Sequence, residues 1–367
     1  MSDGENFVLC ASRIVVAALL LFSGPGAVAG EPEGELAQLL EAVVRVHTEI
    51  PSDARTAAYL GTQRDGAGVV IDDAGLVVTI GYLITEAMGA EVTTGSGQVS
   101  RADVVGFDVA SGLGLLRAAE RLAVKPMPIG TAKGLAEETP VVVAGAGGPE
   151  AVRPAVVVSR RTFAGYWEYL LEDAIFTAPP HPAWSGAALL GPDGKLAGIG
   201  SLVVSDAKAD LPGNMFVPID RLPSVMGDLL TLGRPSAPSR PWLGVNLREL
   251  DGKLVISRVA SDGPSDKAGV RHGDQVTAID GARVHELADF YRTLWRRGDA
   301  GVTVRLSLLG KVRSARSRSR RSTGIATSSS TPHIRSRSLS AAPLQGTRLD
   351  WVLETPAFGA GAAIFSL

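Results

Sequence analysis

From Glu41 onward the apolar residues come in short runs broken by turn formers. AVVRVHTEI (42–50), GAGVVIDDAGLVVTIGYLI (66–84), ADVVGFDVASGLGLLRA (102–118) and TPVVVAGAGGPEAVRPAVVVS (139–159) are rich in Val and Ile, with Gly, Asp or Pro between them. β-Branched runs bounded by such residues read as strands, and many short strands at even spacing predict an all-β barrel or sandwich. The pattern changes in LPGNMFVPIDRLPSVMGDLLTLG (211–233), where Val217, Leu222, Val225, Met226 and Leu229 recur at near-helical intervals and predict a closing helix.

RPSAPSRP (234–241) has the composition of a linker. A second module follows. WLGVNLREL (242–250) and GKLVISRVA (252–260) read as strands, and ELADFYRTLWRRG (286–298) reads as an amphipathic helix with Leu287, Phe290, Tyr291 and Leu294 on one face. GVTVRLSLL (301–309) alternates as a further strand. After Lys311 the alternation is lost, and ARSRSRRSTGIATSSSTPHIRSRSLS is low-complexity Arg/Ser that cannot bury enough apolar surface to fold.

With 367 residues and 45% apolar content, the chain suffices for two domains with cores of their own. The net charge of −2 hides an asymmetry: residues 311–367 carry nine Lys or Arg against Asp350 and Glu354. The remainder is mildly acidic, which argues against a nucleic-acid-binding body. Near the N-terminus, Arg13 precedes the apolar run Ile14–Phe22 and the small residues Ala27-Val28-Ala29-Gly30. This predicts an export signal over 1–29 cut after Ala29, with an uncleaved anchor as the alternative. The lone cysteine, Cys10, would leave with the signal, so the exported product has no disulfide or thiol chemistry. No metal-ligand cluster, phosphate loop or dinucleotide fingerprint stands out, and no cofactor is expected.

HPAWSGAALLGPDGKLAGIG (181–200) sets a serine beside a glycine ahead of a hairpin, which resembles the nucleophile loop of trypsin-like serine proteases. The run from Gly66 to Thr79 resembles the Gly-Ser-Gly-Val-Ile-Ile-Asp segment of the HtrA/Deg family. Likewise, GPSDKAGVRHGDQVTAIDGARV (263–284) resembles the turn, helix and strand of that family's PDZ domain. The resemblance implies a mainly β fold: a trypsin-like double β-barrel over 40–230, a linker at 231–240, a small α+β PDZ domain over 241–312 and a disordered tail at 313–367. It also implies a periplasmic or otherwise extracytoplasmic place in protein quality control, and possible homotrimers.

Where the family has Thr-Asn-Asn-His-Val, this chain has Thr79-Ile80-Gly81-Tyr82-Leu83; where it has Asp-Leu-Ala-Val-Leu, this chain has Gly112-Leu113-Gly114-Leu115-Leu116. Of the triad positions only Ser185 is retained, with Tyr82 at the His position and Gly112 at the Asp position. A serine hydroxyl needs a base to take its proton and a third group to orient that base. A phenol with a reference pKa near ~10 is a poor acceptor at neutral pH, and Gly112 offers only empty or apolar space. Loss of the base alone costs on the order of 10⁶-fold in a triad enzyme. The oxyanion donors would be the N–H groups of Ala183 and Ser185, with Ala183 replacing the family's glycine. Of the histidines, His181 alone is near enough in sequence to substitute, and a solvent-exposed loop residue is its bland reading; His47, His272, His285 and His333 lie elsewhere.

The resemblance also implies a peptide groove. The N–H groups of Leu243, Gly244 and Val245, after Trp242, would receive a terminal carboxylate. The peptide would lie beside Val245–Leu247 and against Leu287, Tyr291 and Leu294. The Arg/Ser tail reads either as a basic arm or as a disrupted end in which the last PDZ strand is missing. Two functions follow: an exported protein that binds unfolded proteins or C-terminal peptides without cutting them, and, alternatively, an active endopeptidase with an unrecognised base.

Overall fold

The short apolar runs fold into two closed six-stranded barrels. The computed structural model describes residues 37–309, 311–316 and 318–319. The export signal expected over 1–29 and the tail beyond 319 lie outside the described residues.

The first barrel is built from β1 (Val43–Glu49), β2 (Gln63–Val70), β3 (Leu76–Ile80), β4 (Gly89–Thr93), β5 (Val99–Phe107) and β6 (Leu113–Ala118), in the order β1-β2-β3-β6-β5-β4. The second contains β7 (Pro140–Ala144), β8 (Val152–Gly165), β9 (Tyr169–Ala178), β10 (Ala188–Leu190), β11 (Leu196–Lys208) and β12 (Leu211–Pro218), in the order β10-β11-β12-β9-β8-β7. All pairings within both barrels are antiparallel. β3 is buried at every position and is apolar but for Thr79, whereas β1 alternates between core and surface. One apolar cluster joins the barrels, running from Val46 and Leu115 to Phe176 and Val217.

Two helical turns belong to the first barrel, α1 (Ala57–Leu60) and α2 (Gly81–Ile84). The closing helix α3 spans Leu222–Leu232, shorter than its sequence pattern suggests. Val217 lies instead at the end of β12, and the break falls where Pro218 and Pro223 flank the turn into the helix. Leu222 and Leu229 are the fully buried residues of α3, which stops at the left-handed Gly233 (φ +68°). The Pro/Ser stretch expected to be a plain linker is packed: Ser236 N–H donates to Asp228 Oδ2 (2.7 Å), and the Arg240 guanidinium lies 4.4 Å over the Trp295 ring.

The second domain contains β13 (Pro241–Trp242), β14 (Val245–Leu250), β15 (Lys253–Val259), α4 (Pro264–Lys267), β16 (Gln275–Ile279), β17 (Ala282–Arg283), α5 (Leu287–Trp295) and β18 (Thr303–Leu308). β19 (Lys311–Arg316) then pairs antiparallel with β18, and β20 (Arg318–Ser319) pairs with β13. The last strand expected to be missing is therefore present. Its pairing is a backbone matter, which the Arg/Ser side chains conceal from a reading based on apolar alternation. Leu170 of β9 enters this domain's core beside Leu243, Leu247, Tyr291 and Leu294, so the second domain is seated on the β8–β9 hairpin.

Candidate functional site

The serine loop is pinned across the cleft between the barrels. Ala67 N–H donates to Ser185 O (2.7 Å), and Thr79 Oγ1 donates to Ala67 O (2.7 Å). Gly186 at φ +73° continues the turn, and a Cβ there would fall 1.9 Å from Ala67 O, so only glycine fits. Ser185 thus faces α2, whose single turn carries Tyr82 inward.

Tyr82 Oη lies 2.8 Å from Ser185 Oγ and 3.1 Å from Ser201 O. A phenol has one proton and a carbonyl can only accept. Tyr82 Oη is the donor in both contacts, its one proton shared between Ser185 Oγ and Ser201 O. Burial pushes the Tyr82 phenol far above its ordinary range, with the Ser185 contact opposing only in part. The group in reach of the serine is therefore a neutral phenol. Its position is fixed from behind by Arg64, whose Nη1 donates to Tyr82 O (2.5 Å) and Thr85 O (2.9 Å), and whose Nη2 donates to Thr56 Oγ1 (2.7 Å). Burial lowers the Arg64 pKa to about 10, partly opposed by the charge of Glu86, and the side chain stays cationic.

Gly112 lies beside α2, its carbonyl accepting Gly81 N–H at 2.6 Å. The space around it is not empty. Tyr169 Oη would be 3.3 Å from a Cβ at this position and Ile80 Cδ1 3.6 Å away, and Tyr169 Oη donates to Ser111 O at 2.7 Å. The expectation of empty or apolar space beside Gly112 is corrected on that point: β9 delivers the Tyr169 phenol there. Gly112 is at φ +83°, a left-handed conformation that glycine takes without strain.

His181 is buried rather than exposed, which overturns the solvent-facing reading. Its ring is used within its own loop. Ala183 N–H donates to His181 Nδ1 (3.0 Å), so the proton of the neutral ring is on Nε2, which donates to Ala151 O at 3.1 Å. Asn214 Oδ1 accepts His181 N–H at 2.6 Å. Burial is the main cause that lowers the His181 pKa, helped by the charge of Arg153. Both ring nitrogens are therefore engaged away from Ser185. Of the two expected oxyanion donors, that of Ala183 is turned onto this imidazole.

In the second domain, Leu243, Val245, Leu247, Tyr291 and Leu294 are almost wholly buried, Leu287 nearly so, and Trp242 is partly exposed. The three N–H groups expected to take a carboxylate do hold one, and it comes from the same chain. Leu243 N–H donates to Glu168 Oε2 (3.0 Å), and Gly244 and Val245 N–H donate to Glu168 Oε1 (2.6 and 3.0 Å). Leu247 N–H donates to Tyr166 O (3.0 Å), while Tyr291 Oη donates to Gly165 O (2.6 Å) and accepts Glu168 N–H (3.1 Å). Nearby, Arg292 Nε and Nη2 grip Glu172 at 2.9 and 2.7 Å, and this hydrogen bonding holds the Glu172 carboxyl below its usual range.

Glu168, Arg64 and Tyr169 were not singled out by the sequence. Glu168 sits in the turn YWEY, where a carboxylate among aromatics is the only cue, and a lone acid in a hairpin turn is unremarkable.

Residues 66–199 match the trypsin-like peptidase domain family and residues 241–314 the PDZ domain family. Among curated proteins, the chain is similar to the Lactobacillus helveticus "Serine protease Do-like HtrA", 25% identical over 64% of this chain and 63% of that one. It is also 26% identical to "Serine protease PepD" of Mycobacterium tuberculosis (76% of this chain, 64% of that one). A third relative is the Chlamydia muridarum "Probable periplasmic serine endoprotease DegP-like", 26% identical over 66% of this chain and 50% of that one. The matches thus span between half and just under two thirds of these relatives' own lengths. A serine-to-alanine form of the HtrA-type protease AlgW with a tripeptide shares the fold at a TM-score of 0.50 and 19% identity, covering 78% of this chain and 96% of that one. The chain thus carries a trypsin-like peptidase domain followed by a PDZ domain, and the curated proteins it is similar to are HtrA-type serine proteases.

Proposed function

We propose that this chain is an exported HtrA-family protein that binds unfolded proteins or C-terminal peptides through its PDZ domain and does not cleave them. The observation that carries this reading is the 2.8 Å contact between Ser185 Oγ and Tyr82 Oη. Deprotonating the serine requires an acceptor of suitable basicity, and a neutral phenol whose pKa is raised by burial is not one. Two further features act in the same direction. Gly112 offers no carboxylate, and the Ala183 N–H that would help an oxyanion is held by His181. Ser185 remains as the family's nucleophile position without its machinery.

Casein turnover by wild type and Ser185→Ala tests the first half of the proposal. Equal, background-level turnover with retention of unfolded casein supports it; robust Ser185-dependent cleavage overturns it in favour of an active endopeptidase. Extracytoplasmic placement rests on the apolar run Ile14–Phe22 and on the periplasmic description of the Chlamydia relative. Among the described residues no helix is long and apolar enough to cross a membrane. N-terminal sequencing of the product from a native host should find Gly30 first.

A further inference from the structure

We infer that the tip of the β8–β9 hairpin, Tyr166-Trp167-Glu168, is a built-in ligand of the PDZ carboxylate loop, closing that loop to incoming chains until it is displaced. The inference rests on the reading of this groove as a peptide site and names what regulates it. As the chain runs from Tyr166 to Glu168, its partners run from Leu247 to the loop ending at Val245. The tip therefore lies antiparallel to β14, as an added strand does. The Glu168 side chain supplies the carboxylate that a free C-terminus would bring, and three N–H groups converge on it, giving charge-assisted hydrogen bonds.

Three features indicate a site built for this occupant rather than a chance contact. Glu168 is 6% exposed, so its charge is met by donors and not by water. Its backbone is left-handed (φ +59°), a conformation costly for glutamate that turns the side chain into the loop. Tyr291 of α5 closes the tip from the other side by donating to Gly165 O and accepting Glu168 N–H. A cleft of about 720 Å³ runs alongside, lined by Tyr169, Arg221, Arg240, Trp242 and Trp295, and gives a competing chain access to the flank of Glu168. Being tethered, the tip competes at a high effective concentration, and a peptide binds only in proportion to the open fraction.

The test uses the full chain and the fluorescein-labelled peptide Ala-Gly-Tyr-Trp-Glu with a free C-terminus, which repeats residues 164–168. Glu168→Ala should bind this probe at least roughly tenfold more tightly than wild type, with Glu168→Gln in between. Backbone amide exchange at 243–245 should quicken in the same order. If Glu168→Ala does not fold, Glu168→Gln, which keeps the side-chain shape, is read by the same two measures. Equal probe affinity in wild type and variant, or exchange at 243–245 unchanged by the substitution, overturns the inference. Failure to retain casein while the gain for the probe stands removes the proposed function alone and supports Glu168 as the loop's ligand.

Discussion

His181 Nδ1 accepts the N–H of Ala183 at 3.0 Å, so the backbone donor two residues before Ser185 is spent inside its own loop. The histidine that stands closest to the serine in sequence is therefore tied into its own loop and not presented to Ser185. This bond also fixes the neutral ring as the state that suits the fold.

The sign of the resulting pH dependence follows from linkage. His181 has a folded pKa below its unfolded value near ~6.5, so the unfolded chain binds the extra proton first as pH falls. Stability should drop as pH falls from about 6.5 through the lowered folded pKa, and level off below it. The depressed carboxyls of Asp65, Glu86 and Asp220 act lower, below roughly pH 5. Thermal midpoints between these ranges should fall more steeply for wild type than for His181→Gln; parallel curves would show that the ring does not carry the effect.

Restoring the triad should be cooperative and incomplete. Tyr82→His alone gives an imidazole with nothing to orient it, so casein turnover stays at background. Gly112→Asp alone introduces a left-handed aspartate (φ +83°) against Tyr169, at about 1–3 kcal/mol of strain. The pair should raise activity above the product of the singles, because groups acting as a unit are not additive. The Ala183 N–H held by His181 should keep the double variant well below an ordinary protease.

Arg64 is a different kind of support. Its guanidinium serves Tyr82 O, Thr85 O and Thr56 Oγ1 from a nearly buried position. Arg64→Leu strands those acceptors and the neighbouring Glu86, and should cost about 3–5 kcal/mol in denaturant unfolding. Arg64→Lys keeps the charge without the planar fork and should recover only part of that.

Leu170→Ala should loosen the joint between the domains. Leu170 is the β9 residue within the PDZ core, and its truncation should cost about 2–5 kcal/mol. The calorimetric trace should broaden or split as the domains lose their shared core. A single sharp transition at an unchanged temperature would count against this.

The barrels were legible because their strands are buried by residue type. Val77, Val78, Leu115 and Leu116 declare themselves in any reading of apolar runs. Motif order also singled out Tyr82, which the fold brings within 2.8 Å of Ser185. Glu168 was not legible, because its role depends on meeting backbone groups 75 to 77 residues away, and those groups have no sequence signature. β19 was hidden for a related reason: KVRSAR pairs through its backbone and offers no apolar alternation. His181 was found but misread, since its burial is created by Ala151 and Asn214 from two other segments.

Consecutive residues in the β8–β9 hairpin point into both sites. Glu168 fills the carboxylate loop of one domain, and Tyr169 places its hydroxyl on Ser111 O, beside Gly112 of the other. One peptide bond spans the distance that a chain of packed side chains would otherwise have to cover. The two sites therefore share a single mechanical element, so a force that lifts the tip from its loop bears directly on the tyrosine packed against Gly112.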